Sequence, residues 1–255
     1  MRRQFRPASG MLAIHPLALQ AFYEPCEVEG TCKADGVAVV SVNGPLARKP
    51  DGFDDDYESI SHRFEDALND EDTRVVILKL DSPGGDAEGL NTTIDRMRAS
   101  KKRAGKLVCS YTDDAAYSAA YALACVADEI YVPRGVGGVG SIGAITIITS
   151  EVEAYKRMGI DIRVVKSGKR KADGNPAAPI TPAALRHIER HIGILAHRYF
   201  ELVSESRGLS VQEIQAFEAN TFYGDSAVKA GLADDVMGLD DVLRYARKFA
   251  LSAAA

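Results

Sequence analysis

Three short apolar runs, each closed by turn residues and followed by a stretch of helical character, most constrain what this chain can fold into. VAVVSVNGPL (37–46) is β-branched and stops at a turn signal, so it reads as a strand. Residues 74–80 of TRVVILKLDSPGG form a second, buried strand that ends at the sharp turn Ser82-Pro83-Gly84-Gly85, with a helix over 87–99. KLVCSY (106–111) is a third, and it runs into YTDDAAYSAAYALACVAD (111–128), whose small and apolar residues leave at helical spacing. Repeated strand, turn and helix predict an α/β domain with a largely parallel core.

Between the first two strands lies an acidic stretch in which Asp54 to Asp56 cap a helix with Ile60, Phe64, Ala67 and Leu68 on one face. It lacks the alternating acids and sixth-position glycine of a calcium loop. After the third strand, EIYVPRGVGGVGSIGAITIITS holds a literal GxGxxG from Gly138 to Gly143. A dinucleotide fingerprint needs a helix next; here AITIITS reads as a strand, so a glycine-rich loop crossing near a site is the better account. A short helix over 151–158 and a strand at DIRVVKSG (161–168) precede the polar loop KRKADGNPAAP. A long helix follows, with Pro182 at its start and Gly208 past its end, then helices over 210–219, 224–230 and 239–251. Residues 1–35 read as an irregular N-terminal arm, packed on a partner or on the body, and the final alanines as a frayed tail.

Net charge is −5, so nothing global points to nucleic acid. No run approaches the ~18 apolar residues of a membrane span. The basic N-terminus resembles a secretory signal only at its start, because His15, Pro16 and Gln20 break the apolar stretch. The four cysteines form no CxxC pair; Cys109 and Cys125 read as buried thiols, while a Cys26–Cys32 disulfide stays open. His187 and His191 lie four apart, but His197 points off their face and no third metal ligand is at hand.

Ser118 is the candidate for the chemistry. A serine at the head of a buried helix sits beside unpaired N–H groups in a field that favours an anion, as an acyl-transfer nucleophile needs. The plainer account is a helix cap. The histidines, on an arm or on helices, are poor bases for it, so lysine is the alternative, and KSGKRKADGNP offers Lys166, Lys169 and Lys171. A lysine base must be neutral, hence desolvated or close to other cations. By charge pattern alone this is an ordinary solvated loop.

The order of SPGG, a serine heading an alanine-rich helix, GSIG and SGxxK resembles the signal peptide peptidase A family of serine peptidases, over residues 36–237. TFYGDSAVKAGLAD adds a further matching segment, and SGKRKADGNP resembles the loop of the phage head-maturation (prohead) protease branch. The lack of a membrane anchor in this sequence favours that branch over the membrane-bound one. The resemblance implies a crotonase/Clp-protease-like spiral of strand-turn-helix units, with a peptidase domain over 36–238 and a C-terminal helix and tail over 239–255. It implies Ser118 as nucleophile, Lys171 as general base, backbone N–H groups of Gly85, with Gly84, and of Ala119 as the oxyanion hole, and Ser141 and Gly168 in support. Lys166 and Lys169 are then neighbours that help depress the base's pKa. Many family members carry glycines where this chain has Ala119 and Ala120; a backbone donor survives, and the methyl narrows the substrate groove. No cofactor or metal is implied. The expected partners are scaffold or capsid proteins as substrates and other copies of the chain, in a homo-oligomer such as a ring, in the host cytoplasm or prohead interior. Three other readings stand beside this one: a bacterial cytoplasmic signal-peptide or peptide-degrading peptidase, a non-proteolytic capsid assembly factor, and a crotonase-like acyl-CoA enzyme.

Overall fold

In the computed structural model, which describes residues 12–14, 31–48 and 55–253, the three apolar runs are adjacent parallel strands. The N-terminal part contributes β1 (Leu12–Ile14), β2 (Thr31–Ala34), β3 (Val37–Asn43), β4 (Leu46–Ala47), β5 (Asp55–Asp56) and α1 (Tyr57–Asn69). The middle contributes β6 (Val75–Ser82), β7 (Gly84–Asp86), α2 (Leu90–Ala104), β8 (Leu107–Tyr117), α3 (Ala119–Ala124), β9 (Glu129–Val132) and β10 (Gly138–Gly140). The rest is α4 (Val152–Arg157), α5 (Pro182–Arg207), α6 (Val211–Ala216), β11 (Thr221–Tyr223), α7 (Gly224–Lys229), β12 (Asp235–Val236) and α8 (Leu239–Ala253).

The main sheet runs β11-β10-β8-β6-β3-β2, with β9 joined to β8 and β12 to β9. Its β3-β6, β6-β8, β8-β9, β8-β10 and β9-β12 pairs are parallel; β2 and β11 add antiparallel edges. A second, small sheet has the order β1-β7-β4-β5. The expected mixed fold with a mostly parallel core is therefore present. Residues 12–14 and 31–34 are strands, so the N-terminal stretch is not wholly irregular.

Alternation explains how the sheet is covered. Ala38, Val40, Val42, Val76, Leu78 and Leu80 face one side and pack with Ile60, Phe64 and Leu68 of α1. Val37, Val75, Ile77 and Cys109 face the other, where Val242, Ala246 and Ala250 of α8 close over them. Each such large apolar side chain contributes about 1.5–3 kcal/mol relative to exposure. Asp56 caps α1 by accepting from the N–H groups of Glu58 and Ser59, both at 3.0 Å. Asp54, the tail at 254–255 and the Cys26–Cys32 question lie outside the described residues.

Two expected strands do not form. Residues 146–150 and 160–166 are irregular, and their apolar side chains stand in solvent, Val165 at 96% and Ile147 at 61% exposure. A β-branched run becomes a strand only beside a partner. The edge next to β10 is taken by β11, and neither run pairs with a strand within the described residues.

Glu65 of α1 ties that helix to α2, accepting from Arg96 Nε at 3.0 Å and Ser100 Oγ at 2.6 Å. The Arg96 guanidinium, then the Ser100 hydroxyl, hold its carboxyl down to about 2. A depressed folded-state pKa gives stability that is complete above the unfolded value of about 4.3 and is lost as pH falls toward 2. Thermal melts between pH 5 and 2 should show a steeper loss for the wild type than for Glu65→Gln, which has no proton to take up there.

Candidate active site

The register of β6 and β8 brings the two turns together. Leu80 pairs with Thr112, but Ser82 pairs with Ala116, so β8 carries extra residues around Asp113 and Asp114. Beyond that shift, Ser82-Pro83-Gly84-Gly85 and Tyr117-Ser118 leave neighbouring strands side by side, and α3 packs against β7. Parallel pairing of Gly140 with Tyr117 brings in the glycine-rich loop from the other side.

Ser118 is 1% exposed and has φ 53° and ψ −122°. That is the first central position of a type II′ turn, ordinarily occupied by glycine. Its hydroxyl makes no capping bond to α3, so the plain helix-cap account fails. The backbone is pinned instead. Its N–H donates to the Gly140 carbonyl at 2.9 Å, and its carbonyl accepts from Ala122 N–H at 3.1 Å and from the Tyr199 hydroxyl. A non-glycine residue held in this region costs about 1–3 kcal/mol and persists only where its surroundings over-determine it. Tyr199, buried on α5, had no sequence signal beyond being an aromatic on a long helix; burial pushes its phenol well up, so it stays a neutral donor.

The oxyanion candidates separate. Gly84 N–H already donates to the Ser82 hydroxyl at 3.2 Å, which leaves Gly85 as the better donor from that turn. Gly85 must be glycine for packing, since a Cβ there would stand 1.9 Å from the Leu46 carbonyl oxygen of β4. Tyr57 of α1 donates its hydroxyl to the Asp86 carbonyl and fixes the far end of β7. Ala119 is fully buried at the first position of α3, where helix N–H groups lack intrahelical acceptors.

Ser141 is 5% exposed at φ 53°, directly after the residue that binds Ser118, and its N–H donates to the Asn220 carbonyl at 2.9 Å. The Gly138–Gly143 motif is a packing device: a Cβ on Gly138 or Gly140 would come within 2.7 Å or 2.6 Å of the Phe222 or Asn220 carbonyl oxygen. Tyr117 is hydrogen-bonded to Tyr223 beside this crossing, and burial, then that bond, pushes the Tyr117 phenol up.

Ser118, Gly85, Ala119 and Ser141 thus meet. Lys171 makes no hydrogen bond to any of these four. It is exposed, its N–H donates to the Gly168 carbonyl at 3.3 Å, and no hydrogen bond or ion pair engages its ammonium among the described residues. Gly168 serves the turn, at φ 96°. Lys166 is committed elsewhere, its ammonium donating to the Lys169 carbonyl at 2.8 Å. No group of histidine, cysteine or acidic residues suited to a metal occurs among the described residues. Cys109 and Cys125 are buried free thiols, and burial raises the pKa of both, Cys125 to about 12.

A strained serine between glycine turns is a geometry that several chemistries share, and comparison with known proteins narrows it. The model of peptidase family S49 matches residues 100–252, which include Ser118, Ser141 and Lys171. The chain belongs to peptidase family S49. Among its S49-like relatives, head-tail preconnector protein GP5 of Enterobacteria phage P21 is 30% identical over 241 residues, 92% of this chain and 47% of that protein. Capsid assembly protease C of Escherichia phage lambda is 28% identical over 218 residues, 84% of this chain and 49% of that protein. The chain therefore spans about half the length of these two relatives. A solved structure assigned as an enoyl-CoA hydratase/isomerase, from Acinetobacter baumannii, superposes with a TM-score of 0.53 at 13% identity, covering 89% of this chain and 82% of that one. This establishes a crotonase-like fold for the S49 chain and nothing about acyl-CoA chemistry. No described helix is long and apolar enough to cross a membrane.

Proposed function

We propose that this S49 chain is a serine endopeptidase with a Ser118–Lys171 dyad, cutting scaffold or capsid proteins during phage head maturation. The observation that carries the proposal is the glycine-like backbone of Ser118, held between Gly85 on one side and Gly140-Ser141 on the other. The names of the phage relatives support the substrate class.

Neutral Lys171 takes the Ser118 hydroxyl proton as Oγ bonds to the scissile carbonyl carbon. The N–H groups of Gly85 and Ala119 receive the oxyanion. The Lys171 ammonium returns its proton to the leaving amine nitrogen as the C–N bond breaks. Water, deprotonated by Lys171, then cleaves the acyl-enzyme and regenerates both groups. Ser141 orients the lysine. Such a base works only when stripped of water. In this proposal a second copy of the chain covers the exposed apolar residues Ile147, Ile160, Ile162, Val164 and Val165 and docks the Lys171 loop, so activity requires the homo-oligomer.

A fluorophosphonate probe tests the nucleophile. Label on Ser118 supports the peptidase, whereas an acyl-CoA enzyme or an assembly factor leaves it unlabelled. Lys171→Ala should lower both labelling and cleavage of co-expressed capsid and scaffold proteins by at least about 100-fold, with Lys166→Ala close to wild type. The reverse result would move the base to Lys166.

A further inference from the structure

β7 is the strand that delivers Gly85 to the site, and one of its edges pairs with β4 through Leu46 and Gly85. The other edge is not open. Leu12–Ile14 lies on it antiparallel, with Leu12 opposite Asp86, Ala13 opposite Gly85 and Ile14 opposite Gly84. Extended peptides bind proteins by adding a strand to just such an edge, with main-chain hydrogen bonds supplying affinity. Here the chain's own N-terminal segment already forms that added strand, beside the turn that faces Ser118.

We infer that Leu12–Ile14 is a built-in competitor which occupies the substrate-peptide lane along β7, so that a protein substrate has to displace it. The inference rests on the peptidase reading for the identity of the displaced ligand, but the occupancy itself is a matter of strand pairing. A three-residue strand makes few ladder bonds, each with a net contribution small enough to be out-competed. Its strength comes from being tethered, since a short linker gives an effective concentration in the millimolar range. The device therefore raises the apparent KM and leaves kcat alone, because the displaced arm touches none of the reacting atoms once substrate is bound. It favours long substrates that present many strand bonds over short stray peptides.

The experiment uses the full chain with Leu12→Pro, Ala13→Pro and Ile14→Pro together, since proline has no N–H for the ladder. A fluorescent peptide of residues 8–18 should bind this triple variant in anisotropy titrations at least about tenfold more tightly than it binds wild type, whose lane is filled. The same contrast should hold with Ser118→Ala added to both proteins, which frees the result from catalysis. In the active background the triple variant should show a KM lower by about tenfold with unchanged kcat, and faster fluorophosphonate labelling of Ser118. Circular dichroism melts check that the triple variant folds; if it does not, Ala13→Pro alone is read in the same titration. Equal peptide binding by wild type and variant, or none by either, overturns the inference. Selective binding by the variant without any labelling of Ser118 upholds the occupied lane and overturns the peptidase.

Discussion

Ser118→Ala should remove the proposed peptide hydrolysis, by about 10⁴-fold or more, since losing the nucleophile of a serine peptidase leaves only binding and the oxyanion hole. Ser118→Gly does the same to activity and has the opposite effect on stability. The native φ of 53° with ψ of −122° is a conformation that glycine enters freely and serine does not. Alanine keeps the strain; glycine relieves about 1 kcal/mol of it net, after its own larger unfolded-state entropy is counted. For a chain of this size that raises Tm by about 2–4 °C. Calorimetry on the two variants separates a residue held under strain for chemistry from one that merely starts a helix. A glycine variant no more stable than the alanine variant would show that the backbone at this position stores nothing.

The second large effect is on structure and site together. Gly85→Ala places a methyl 1.9 Å from the Leu46 carbonyl oxygen and 2.5 Å from its carbon, contacts that only a backbone shift can relieve. Ordinary overpacking costs about 1–3 kcal/mol, and a collision with a neighbouring main chain should lie at or above the top of that range. Because the shift moves the proposed oxyanion donor, cleavage should fall by a further 10²–10³-fold in the fraction that folds, roughly the value of one lost donor. Gly105→Ala is the matched control. Gly105 caps the C-terminus of α2 at φ 63°, and a Cβ there meets nothing within 4 Å, so Gly105→Ala should cost only about 1–2 kcal/mol of left-handed strain and no activity. Urea denaturation with parallel rate measurements distinguishes the two.

Much of this was legible in the residue order because it is local. The apolar, β-branched runs at 37–43 and 75–80 announced buried strands, and Asp56, Pro182 and Gly208 marked helix ends where the structure has them. The Pro83-Gly84-Gly85 turn was legible because glycine turns leave strong traces, and Ser118 because it stands where a strand becomes a helix. What escaped depends on pairing across distance. AITIITS and DIRVVKSG have the composition of strands, but an edge to join is a property of the whole sheet. Nothing in the spelling of Gly84 and Gly85 says that a serine hydroxyl occupies the N–H of the first. Tyr199 reaches Ser118 from 81 positions away, and Ala13 comes to lie opposite Gly85 by register alone. Lys171 is exposed and makes no hydrogen bond to Ser118 among the described residues, so residue order nominates the lysine without docking it.

The position of α8 bears on synthesis. The sheet face formed by Val37, Val75, Ile77 and Cys109 is closed by Val242, Ala246 and Ala250, residues that leave the ribosome long after the strands they cover. Until α8 emerges, the nascent chain carries half a core with no lid. At about 5–20 residues per second, several seconds separate the emergence of β8 from that of α8. During that interval the half-built sheet is apolar and sticky, a natural client for chaperones.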